Sequence, residues 1–318
     1  MKRNNKKIIK KSIGIVGLGY VGLPLLLKFI NSKKYKVIGI DTNIKKIQKL
    51  KKNISYISNI KNSEINILNN KNVSLFSSFN SIKLCDVIIF ALPTPLSDNK
   101  DPDMTYINSA IQLSQNYFKK NQLVILESTV YPGATGEFFL PLIEKKKFNV
   151  GKNFFLGYSP EREDPGNKKF NISNIVKLVS GHTSKCLKLT DKLYRSIGIK
   201  TYKVSNIQTA EMTKLYENIF RSVNIGLVNE MKLISDKMNM DVYEIINAAK
   251  SKPFGFKAFY PGPGLGGHCI PIDPYLLTWK AKQYDLNTKF IELSADINNS
   301  MPNYVVDKIN EGLNMLGK

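Results

Sequence analysis

Short apolar runs alternate with polar, helically spaced stretches over the first two thirds of the chain. Such alternation is typical of strands and helices that build a parallel sheet covered on both faces. We predict a doubly wound, mostly parallel α/β sheet over residues 1–203, with strands at 12–16, 35–41, 86–92, 123–127, 153–157 and 175–179. Between the second and third of these, residues 45–72 are rich in Lys, Asn and Ser, which predicts a mobile surface excursion.

The pattern changes near residue 204. From Thr209 onward, apolar residues recur at helical spacing for about thirty residues. This pattern predicts a helical domain over 204–318 that follows the sheet domain over 1–203. Its further helices are predicted at 242–249, at 274–283 and from Lys289 onward. A helix this long, apolar on more than one side, needs more cover than its own domain supplies, so we expect a homodimer formed through the helical domain.

The net charge of +22 first suggests a nucleic-acid partner. The residue types argue against one, because lysines are spread along the whole chain and arginine, the residue expected at base and phosphate contacts, is rare. Of 47 basic residues, only four are arginine: Arg3, Arg162, Arg195 and Arg221. We therefore expect no nucleic-acid partner, although the excess charge can attract a phosphorylated ligand.

No apolar run approaches the length of about 20 residues that a membrane span needs. The basic start of the chain leads directly into the first predicted strand, not into a cleavable apolar segment. Cys85, Cys186 and Cys269 are scattered without CxxC spacing, which favours reduced thiols and no metal site. We expect a cytoplasmic protein with no membrane partner.

The stretch GLGYVG joins the first predicted strand to the first helix. Gly17, Gly19 and Gly22 allow a tight turn with pyrophosphate at the helix N-terminus, and Asp41 ends the next strand, where a carboxylate binds ribose hydroxyls. A turn needed only for packing is the alternative. Asp41 favours NAD over NADP, because it would repel a 2′-phosphate. The predicted NAD-binding residues are Gly17, Gly19, Tyr20, Val21, Gly22, Asp41, Pro93, Thr94 and Thr129.

The stretch GPGLGGHCIPIDP at 262–274 places Cys269 among glycines and prolines. Such backbone forms an irregular loop of defined shape, and loops of this kind more often carry function than fold. A structural cysteine normally has apolar neighbours, whereas Cys269 follows His268 and precedes Asp273 by four residues. We interpret Cys269 as functional and His268 as an ordinary loop residue.

Lys214 and Asn218 are four residues apart on the predicted long helix, so they share one face. A cation and an amide donor presented together can stabilise an oxyanion. A solvated helix face is the alternative, and it is the better explanation unless Cys269 is a nucleophile.

The motifs GLGYVG, ESTVYPGAT, SPERED, EMTKLYEN and GPGLGGHCIPIDP together resemble the UDP-glucose and GDP-mannose dehydrogenase family. The resemblance runs from about Ser12 to the end of the chain and is greatest to the UDP-N-acetylglucosamine 6-dehydrogenase branch of bacterial surface-polysaccharide pathways. It implies that Cys269 is the nucleophile and that Lys214 and Asn218 stabilise the oxyanion. Glu161 and Thr129 would position water and assist proton transfer, with Asp273 in the same network. The residues expected at the UDP-sugar are Glu161, Arg162, Glu163, Lys214, Asn218, Tyr260, Gly264 and Gly266.

The resemblance also implies a four-electron oxidation of the sugar 6-hydroxyl to a uronate. Cys269 would capture the aldehyde as a thiohemiacetal, which a second NAD oxidises to a thioester before hydrolysis. Ile272 stands where UDP-glucose dehydrogenases carry a lysine, which favours an N-acetylhexosamine such as UDP-N-acetylglucosamine over glucose. Specificity for UDP-glucose or UDP-N-acetylmannosamine stays an alternative.

Members of this family continue into a third, nucleotide-binding domain, and we expect that domain to be absent here. The chain would then be an enzyme fragment, an enzyme completed by a separate polypeptide, or a non-catalytic remnant that still binds NAD and dimerises. A small hydroxyacid dehydrogenase with the same two domains would explain Lys214 and Asn218. It would leave the Cys269 loop without a purpose.

Overall fold

The computed structural model describes residues 11–162, 174–267 and 270–317. The chain divides into two compact units. The first, here called the sheet unit, comprises Met1–Pro95 and Asp103–Met212. The second, the helical unit, comprises Leu96–Pro102 and Thr213–Lys318.

Within the described residues, the sheet unit holds one eight-stranded sheet of order β3-β2-β1-β4-β5-β6-β7-β8. Neighbouring strands are parallel except β6 and β7, so the predicted doubly wound, mostly parallel sheet is confirmed. Strands β3 and β8 at its two edges were not predicted. The strands are β1 (Ser12–Val16), β2 (Lys36–Ile40), β3 (Val73–Phe76), β4 (Val87–Phe90), β5 (Leu123–Leu126), β6 (Phe155–Tyr158), β7 (Lys177–Gly181) and β8 (Thr201–Lys203).

The central strands are continuously apolar because both faces of the sheet are covered. Every residue of β4 and of β5 is buried. In the described part of the sheet unit, the α-helices are α1 (Gly22–Asn31), α2 (Ile44–Lys51), α3 (Asn62–Ile65), α4 (Thr105–Ser114), α5 (Ala134–Lys145) and α6 (Ser184–Ser196).

The stretch 45–72 differs from its prediction. Instead of a mobile excursion, it contains most of α2, all of α3 and a 3-10 turn, and Ile47, Leu50, Ile65 and Leu68 are buried in the core. The surrounding Lys and Asn residues make the stretch polar in composition. They do not disturb the helical spacing of its few apolar residues, which is enough to anchor it.

The chain reverses direction between β6 and β7. Gly157 pairs with Gly181 and Tyr158 with Ser180 in antiparallel register, and β8 runs parallel to β7. The first residue of β7, Lys177, therefore lies at the edge of the sheet where the parallel strands β5 and β6 end.

The helical unit is built from α7 (Ile207–Lys237), which begins in the sheet unit, and from α8 (Val242–Lys250), α9 (Asp273–Lys282) and α10 (Lys289–Met315). The predicted helices are thus confirmed. Helix α7 packs closely on α10, because a Cβ on Gly226 would lie 3.2 Å from Ser294. In the parts of the chain that the structure describes, no helix is both long and apolar enough to cross a membrane.

Candidate functional site

The turn between β1 and α1 has a backbone conformation in which Gly17 and Gly22 leave no room for a Cβ atom. Gly17 has φ of +89°, and a Cβ there would lie 2.3 Å from the Ala91 carbonyl oxygen. A Cβ on Gly22 would lie 1.8 Å from the Gly17 carbonyl oxygen. A Cβ on Gly19 would meet nothing within 4 Å. The first and third glycines are therefore required by the turn itself, whereas Gly19 keeps the space outside it open.

Asp41 follows β2 and is only 8% exposed. Its Oδ2 accepts the Leu18 amide at 3.0 Å, and its Oδ1 accepts the Asn43 amide at 2.9 Å. Lys46 Nζ lies 3.4 Å from Oδ2. A carboxylate fixed by backbone donors beside the glycine turn can still accept hydroxyl hydrogens on its remaining lone pairs.

The ends of β4 and β5 are joined by side-chain hydrogen bonds. Ser128 Oγ accepts the Leu92 amide at 2.9 Å and donates to the Leu92 carbonyl at 2.7 Å. Thr94 Oγ1 donates to the Thr129 carbonyl at 2.7 Å. The predicted residues Thr94 and Thr129 therefore lie together at the carboxyl edge of the sheet, where folds of this kind bind ligands.

The remaining predicted cofactor residues border these elements. Tyr20 is 54% exposed within the glycine turn, Val21 is the N-cap of α1, and Pro93 is exposed after β4. A glycine turn at a helix N-terminus, an open approach at Gly19 and a carboxylate at the end of the next strand fit a dinucleotide. These features define the class: the sheet unit is a Rossmann-like dinucleotide-binding domain.

A closed ionic cluster lies at the same edge of the sheet. Lys177 Nζ is 3.2 Å from Glu127 Oε2 and 3.2 Å from Glu161 Oε2, and the Tyr194 hydroxyl donates to Glu127 Oε1. Burial raises the pKa of Glu127, and the charge of Glu161 raises it further. Burial opposes the charge of Lys177, but the two carboxylates outweigh it and raise the pKa of Lys177.

The helical unit gathers a second buried polar cluster. Lys214 and Asn218 lie one turn apart on α7, 6% and 4% exposed, and Asp273 begins α9, 3% exposed. Asn218 Nδ2 donates to Asp273 Oδ2. Burial raises the pKa of Asp273 to about 6, while Lys214, Asn218 and Arg221 act in the opposite direction. The burial of this Lys-Asn pair excludes the alternative of a solvated helix face.

The glycine-rich loop is tied to α7 by its backbone. The Gly262 amide donates to Asn229 Oδ1 at 3.0 Å, and Asn229 Nδ2 donates to Asn298 Oδ1 at 2.9 Å. Gly264 has φ of +120°, and a Cβ there would lie 3.2 Å from Pro302. A Cβ on Gly266 would meet no other atom of the described residues within 4 Å. The contacts at Gly262 and Gly264 hold the segment that leads toward Cys269 in a defined path.

The predicted site residues are distributed over both units. Lys214, Asn218 and Asp273 are together, as are Thr94 and Thr129, and Glu161 joins Lys177 in the ionic cluster. Tyr260 is 48% exposed, and the guanidinium of Arg162 donates to the Val176 carbonyl at 2.5 Å. Of the residues considered for the site from the sequence, Glu163, His268 and Cys269 lie outside the described residues.

Sequence reasoning did not assign a role to Glu127, Lys177 or Tyr194. The sequence does carry a signal for Lys177, because it stands directly before the apolar residues of β7 (KLVSG), and in the structure it is only 4% exposed. A lysine is rarely buried without a partner. No comparable signal marks Tyr194, since tyrosine is common in helices that cover a sheet.

A further buried carboxyl group, that of Glu211, connects two elements of the sheet unit. Glu211, in the first turns of α7, accepts the Gly133 amide at 2.6 Å, the Thr135 amide at 2.9 Å and the Thr135 hydroxyl at 2.6 Å. It thereby caps the N-terminus of α5. Burial raises the pKa of Glu211 to about 7, against the effect of these three donors.

Comparison with known proteins identifies the particular family within this class. The NAD-binding domain of the UDP-glucose/GDP-mannose dehydrogenase family matches residues 11–198, and the central domain of that family matches residues 208–300. The chain belongs to the UDP-glucose/GDP-mannose dehydrogenase family, whose members oxidise nucleotide sugars with NAD. Its cofactor is NAD.

Relatives match over nearly the whole chain. It is 39% identical to Protein CapL of Staphylococcus aureus, over 95% of this chain and 70% of that protein. It is 39% identical to a UDP-N-acetyl-D-glucosamine 6-dehydrogenase of Pseudomonas aeruginosa, over 93% of this chain and 69% of that protein. The structure of a UDP-D-ManNAc dehydrogenase from Pyrococcus horikoshii superposes with a TM-score of 0.89 at 33% identity, covering 96% of this chain and 72% of that one.

Proposed function

We propose that this chain oxidises the 6-hydroxyl of a UDP-N-acetylhexosamine to a uronate with Cys269 as nucleophile. The sugar we propose is UDP-N-acetylglucosamine. In this proposal, residues 1–203 bind NAD, and residues 204–318 supply the groups that stabilise the reacting sugar. The observation that carries it is the buried cluster of Lys214, Asn218 and Asp273. Lysine and aspartate are rarely buried unless they are paired, and titratable groups gathered and buried at one place mark a candidate functional site.

NAD, when bound, would supply the hydride acceptor, with one NAD molecule consumed in each of the two oxidation steps. Two features of the sheet unit would bind NAD. The N-terminus of α1 attracts the pyrophosphate, and Asp41 accepts hydrogen bonds from the ribose hydroxyls. Gly19 leaves room for the backbone to approach the cofactor closely. Asp41 also disfavours a 2′-phosphate by charge repulsion, which supports NAD over NADP.

The first oxidation removes a hydride and a proton from the primary alcohol and gives an aldehyde. The thiolate of Cys269 adds to the aldehyde carbon, forming a C–S bond and an oxyanion that takes up a proton to become a thiohemiacetal. Removal of a second hydride and proton leaves a thioester. Water then attacks the thioester and the C–S bond breaks, releasing the carboxylate, the thiolate and two protons.

The cluster of Lys214, Asn218 and Asp273 suits the sugar oxygen that becomes negatively charged during the reaction. Lys214 and Asn218 carry N–H donors that can bind each oxyanion, and the positive charge of Lys214 also favours the thiolate form of a nearby cysteine. Asp273 fixes the Asn218 amide through their hydrogen bond. We assign water positioning and proton transfer during hydrolysis to Glu161 and Thr129, at the carboxyl edge of the sheet.

The choice of sugar is supported by relatives and by one residue. Relatives at 39% and 37% identity are UDP-N-acetyl-D-glucosamine 6-dehydrogenases of Pseudomonas aeruginosa and Salmonella typhi. Other relatives, at 34% identity or less, are UDP-N-acetyl-D-mannosamine dehydrogenases. Ile272 places an apolar residue next to Asp273 in the chain, which suits an N-acetyl group better than a further cation would. We propose that the uronate serves surface-polysaccharide synthesis.

The test counts NADH formed per sugar consumed by the purified chain, with UDP-N-acetylglucosamine, UDP-N-acetylmannosamine and UDP-glucose compared. We expect two NADH per UDP-N-acetylglucosamine. Cys269→Ser should abolish the uronate product, whereas Cys186→Ser, at a buried cysteine of α6, should keep the ratio of two. One NADH per sugar would contradict thiol capture. No NADH despite measurable NAD binding would favour the non-catalytic alternative or the need for a second polypeptide.

We further propose that the helical unit forms a homodimer. Helix α7 presents a stripe of exposed apolar side chains at helical spacing along its length: Tyr216, Phe220, Leu227, Met231 and Ile234, between 37% and 67% exposed. A second copy of the same helix matches such a stripe in length and chemistry. Light scattering at micromolar concentration should give the dimer mass, and Leu227→Glu should give a monomer. A monomeric wild type contradicts the proposal.

A further inference from the structure

The ammonium of Lys177 is completely used by neighbouring acceptors. Its Nζ lies 3.2 Å from Glu127 Oε2, 3.2 Å from Glu161 Oε2 and 3.4 Å from the Pro160 carbonyl oxygen. These are three acceptors for three N–H groups. The antiparallel register explains the encounter: continuing the pairs 157 with 181 and 158 with 180 places residue 177 opposite residue 161.

The four side chains of the cluster differ in exposure. Glu127 and Lys177 are 1% and 4% exposed, and Tyr194 is fully buried. The side chain of Glu161 retains 16% exposure. Glu161 is therefore the member through which the cluster can meet a ligand, and the other three lie behind it.

Tyr194 supports Lys177 both directly and through Glu127. The Lys177 ammonium lies 5.3 Å from the centre of the Tyr194 ring, and the Tyr194 hydroxyl donates to the same Glu127 that binds Lys177. The geometry points to Lys177 as a positioning residue that keeps the Glu161 carboxylate ionised and fixed for proton transfer, with Glu127 and Tyr194 holding Lys177 in place. This inference rests on the proposed function, which gives Glu161 that role.

The charges that face Glu161 predict opposite effects for two substitutions. Lys177 from β7 favours its ionised form, as does the Arg162 amide, which donates to Glu161 Oε1 at 2.7 Å. Glu127, after β5, opposes the ionised form by like charge, and Tyr194 from α6 contributes a neutral hydroxyl. Lys177→Met should therefore raise the pKa of Glu161, and Glu127→Gln should lower it.

The experiment titrates the Glu161 carboxyl by ¹³C NMR in protein labelled at glutamate Cδ, with Glu161→Gln identifying the signal. We expect the midpoint to rise by about 1 to 3 pH units in Lys177→Met and to fall in Glu127→Gln. The matched control is Lys203→Met, an exposed lysine at the end of β8, which should leave the midpoint unchanged. If Lys177→Met does not fold, the double variant Lys177→Met/Glu127→Gln is compared with Glu127→Gln alone, because these two differ only at Lys177 and the midpoint should be higher in the double variant.

Steady-state kinetics on the same variants supply a second measurement. Lys177→Met should lower kcat by roughly 10²-fold, with the KM for the sugar and the affinity for NAD retained. The acidic limb of its pH profile should move in the same direction as the NMR midpoint.

The outcomes separate the two proposals. If wild type forms no NADH, the proposed function fails for this chain, while the NMR midpoints still decide whether Lys177 controls Glu161. Midpoints that shift in opposite directions support the inference. A Glu161 midpoint that is the same in wild type, Lys177→Met/Glu127→Gln and both single variants overturns it, as does a loss of stability without any change in titration.

Discussion

The two units build their sites from different materials. The NAD cradle, as we call Gly17, Gly19, Gly22 and Asp41, lies in the sheet unit. Apart from the Asp41 carboxylate, it consists of backbone, because its three glycines lie within six residues and carry no side chains. The cluster of the helical unit is made of side chains, and Asp273 meets Asn218 across 55 residues of sequence. The cradle is therefore sensitive to added atoms, and the cluster is sensitive to removed ones.

This contrast has a physical origin. A dinucleotide carries fixed charges and hydroxyls that backbone amides can bind, so the cradle needs close approach more than particular side chains. A reacting centre changes its charge during the reaction, and stabilising that change requires donors aimed at one atom. Each unit can thus be damaged separately, and the predictions below use that separation.

The largest expected effect comes from removing the Lys214 ammonium. Lys214→Ala should reduce kcat by roughly 10²- to 10³-fold, the effect typical of losing one oxyanion donor, and should leave the affinity for NAD unchanged. Steady-state kinetics and NAD titration measure the two. Lys237→Ala, at an exposed position of the same helix, is the control. An equal loss in both variants would show that α7 had been damaged generally.

In the glycine turn of the sheet unit, damage should come from adding a methyl group and not from removing a side chain. Gly22→Ala forces a Cβ against the Gly17 carbonyl oxygen and should destabilise the sheet unit by about 1 to 3 kcal/mol. Gly19→Ala meets no protein atom, so it should retain wild-type stability and weaken NAD binding. Thermal unfolding and NAD titration distinguish the two. Full NAD affinity in folded Gly19→Ala would show that the cofactor does not approach this turn.

A pH-dependent effect concerns one carboxyl group in each unit. The pKa values of Asp273, about 6, and Glu211, about 7, lie above their ordinary values of 3.8 and 4.5. The folded state therefore binds these protons more tightly than the unfolded state, and their contribution to stability is lost as pH rises through each window.

Neutral replacements should remove this loss. Relative to wild type, Asp273→Asn should gain stability between about pH 4 and 6, and Glu211→Gln between about pH 4.5 and 7, each by on the order of 3 kcal/mol. Denaturant unfolding at a series of pH values measures the differences. A variant whose difference from wild type stays constant across its window would mean that the carboxyl group titrates alike in both states.

Much of the fold could be predicted because its signals are local. The strands at 12–16 and 123–126 are short, apolar and bounded by polar residues. The GLGYVG motif and Asp41 both lie within a single βαβ unit. The helices within 45–72 were missed because lysine and asparagine dominate the composition there. Strand β8 has only three residues and lies at an edge of the sheet, so its apolar pattern is too short to detect.

The candidate site was only partly predictable for a related reason. Spacing on one helix placed Lys214 and Asn218 on a shared face, but only tertiary structure shows that the pair is buried. The partnership of Lys177 with Glu127 depends on the reversal of β7, which no local pattern encodes. If the sheet were fully parallel, the start of β7 would lie at the opposite edge.

That reversal has a practical consequence for laboratory evolution. Because β7 runs antiparallel to β6, Lys177 at the start of β7 lies opposite Glu161, which follows the end of β6. The two residues are separated by only 16 positions in the sequence. One short synthetic oligonucleotide can therefore randomise both partners in a single library. Because Lys177 also pairs with Glu127 and Glu161 carries the proposed proton transfer, selected clones should retain a carboxylate at 161 together with a cation at 177.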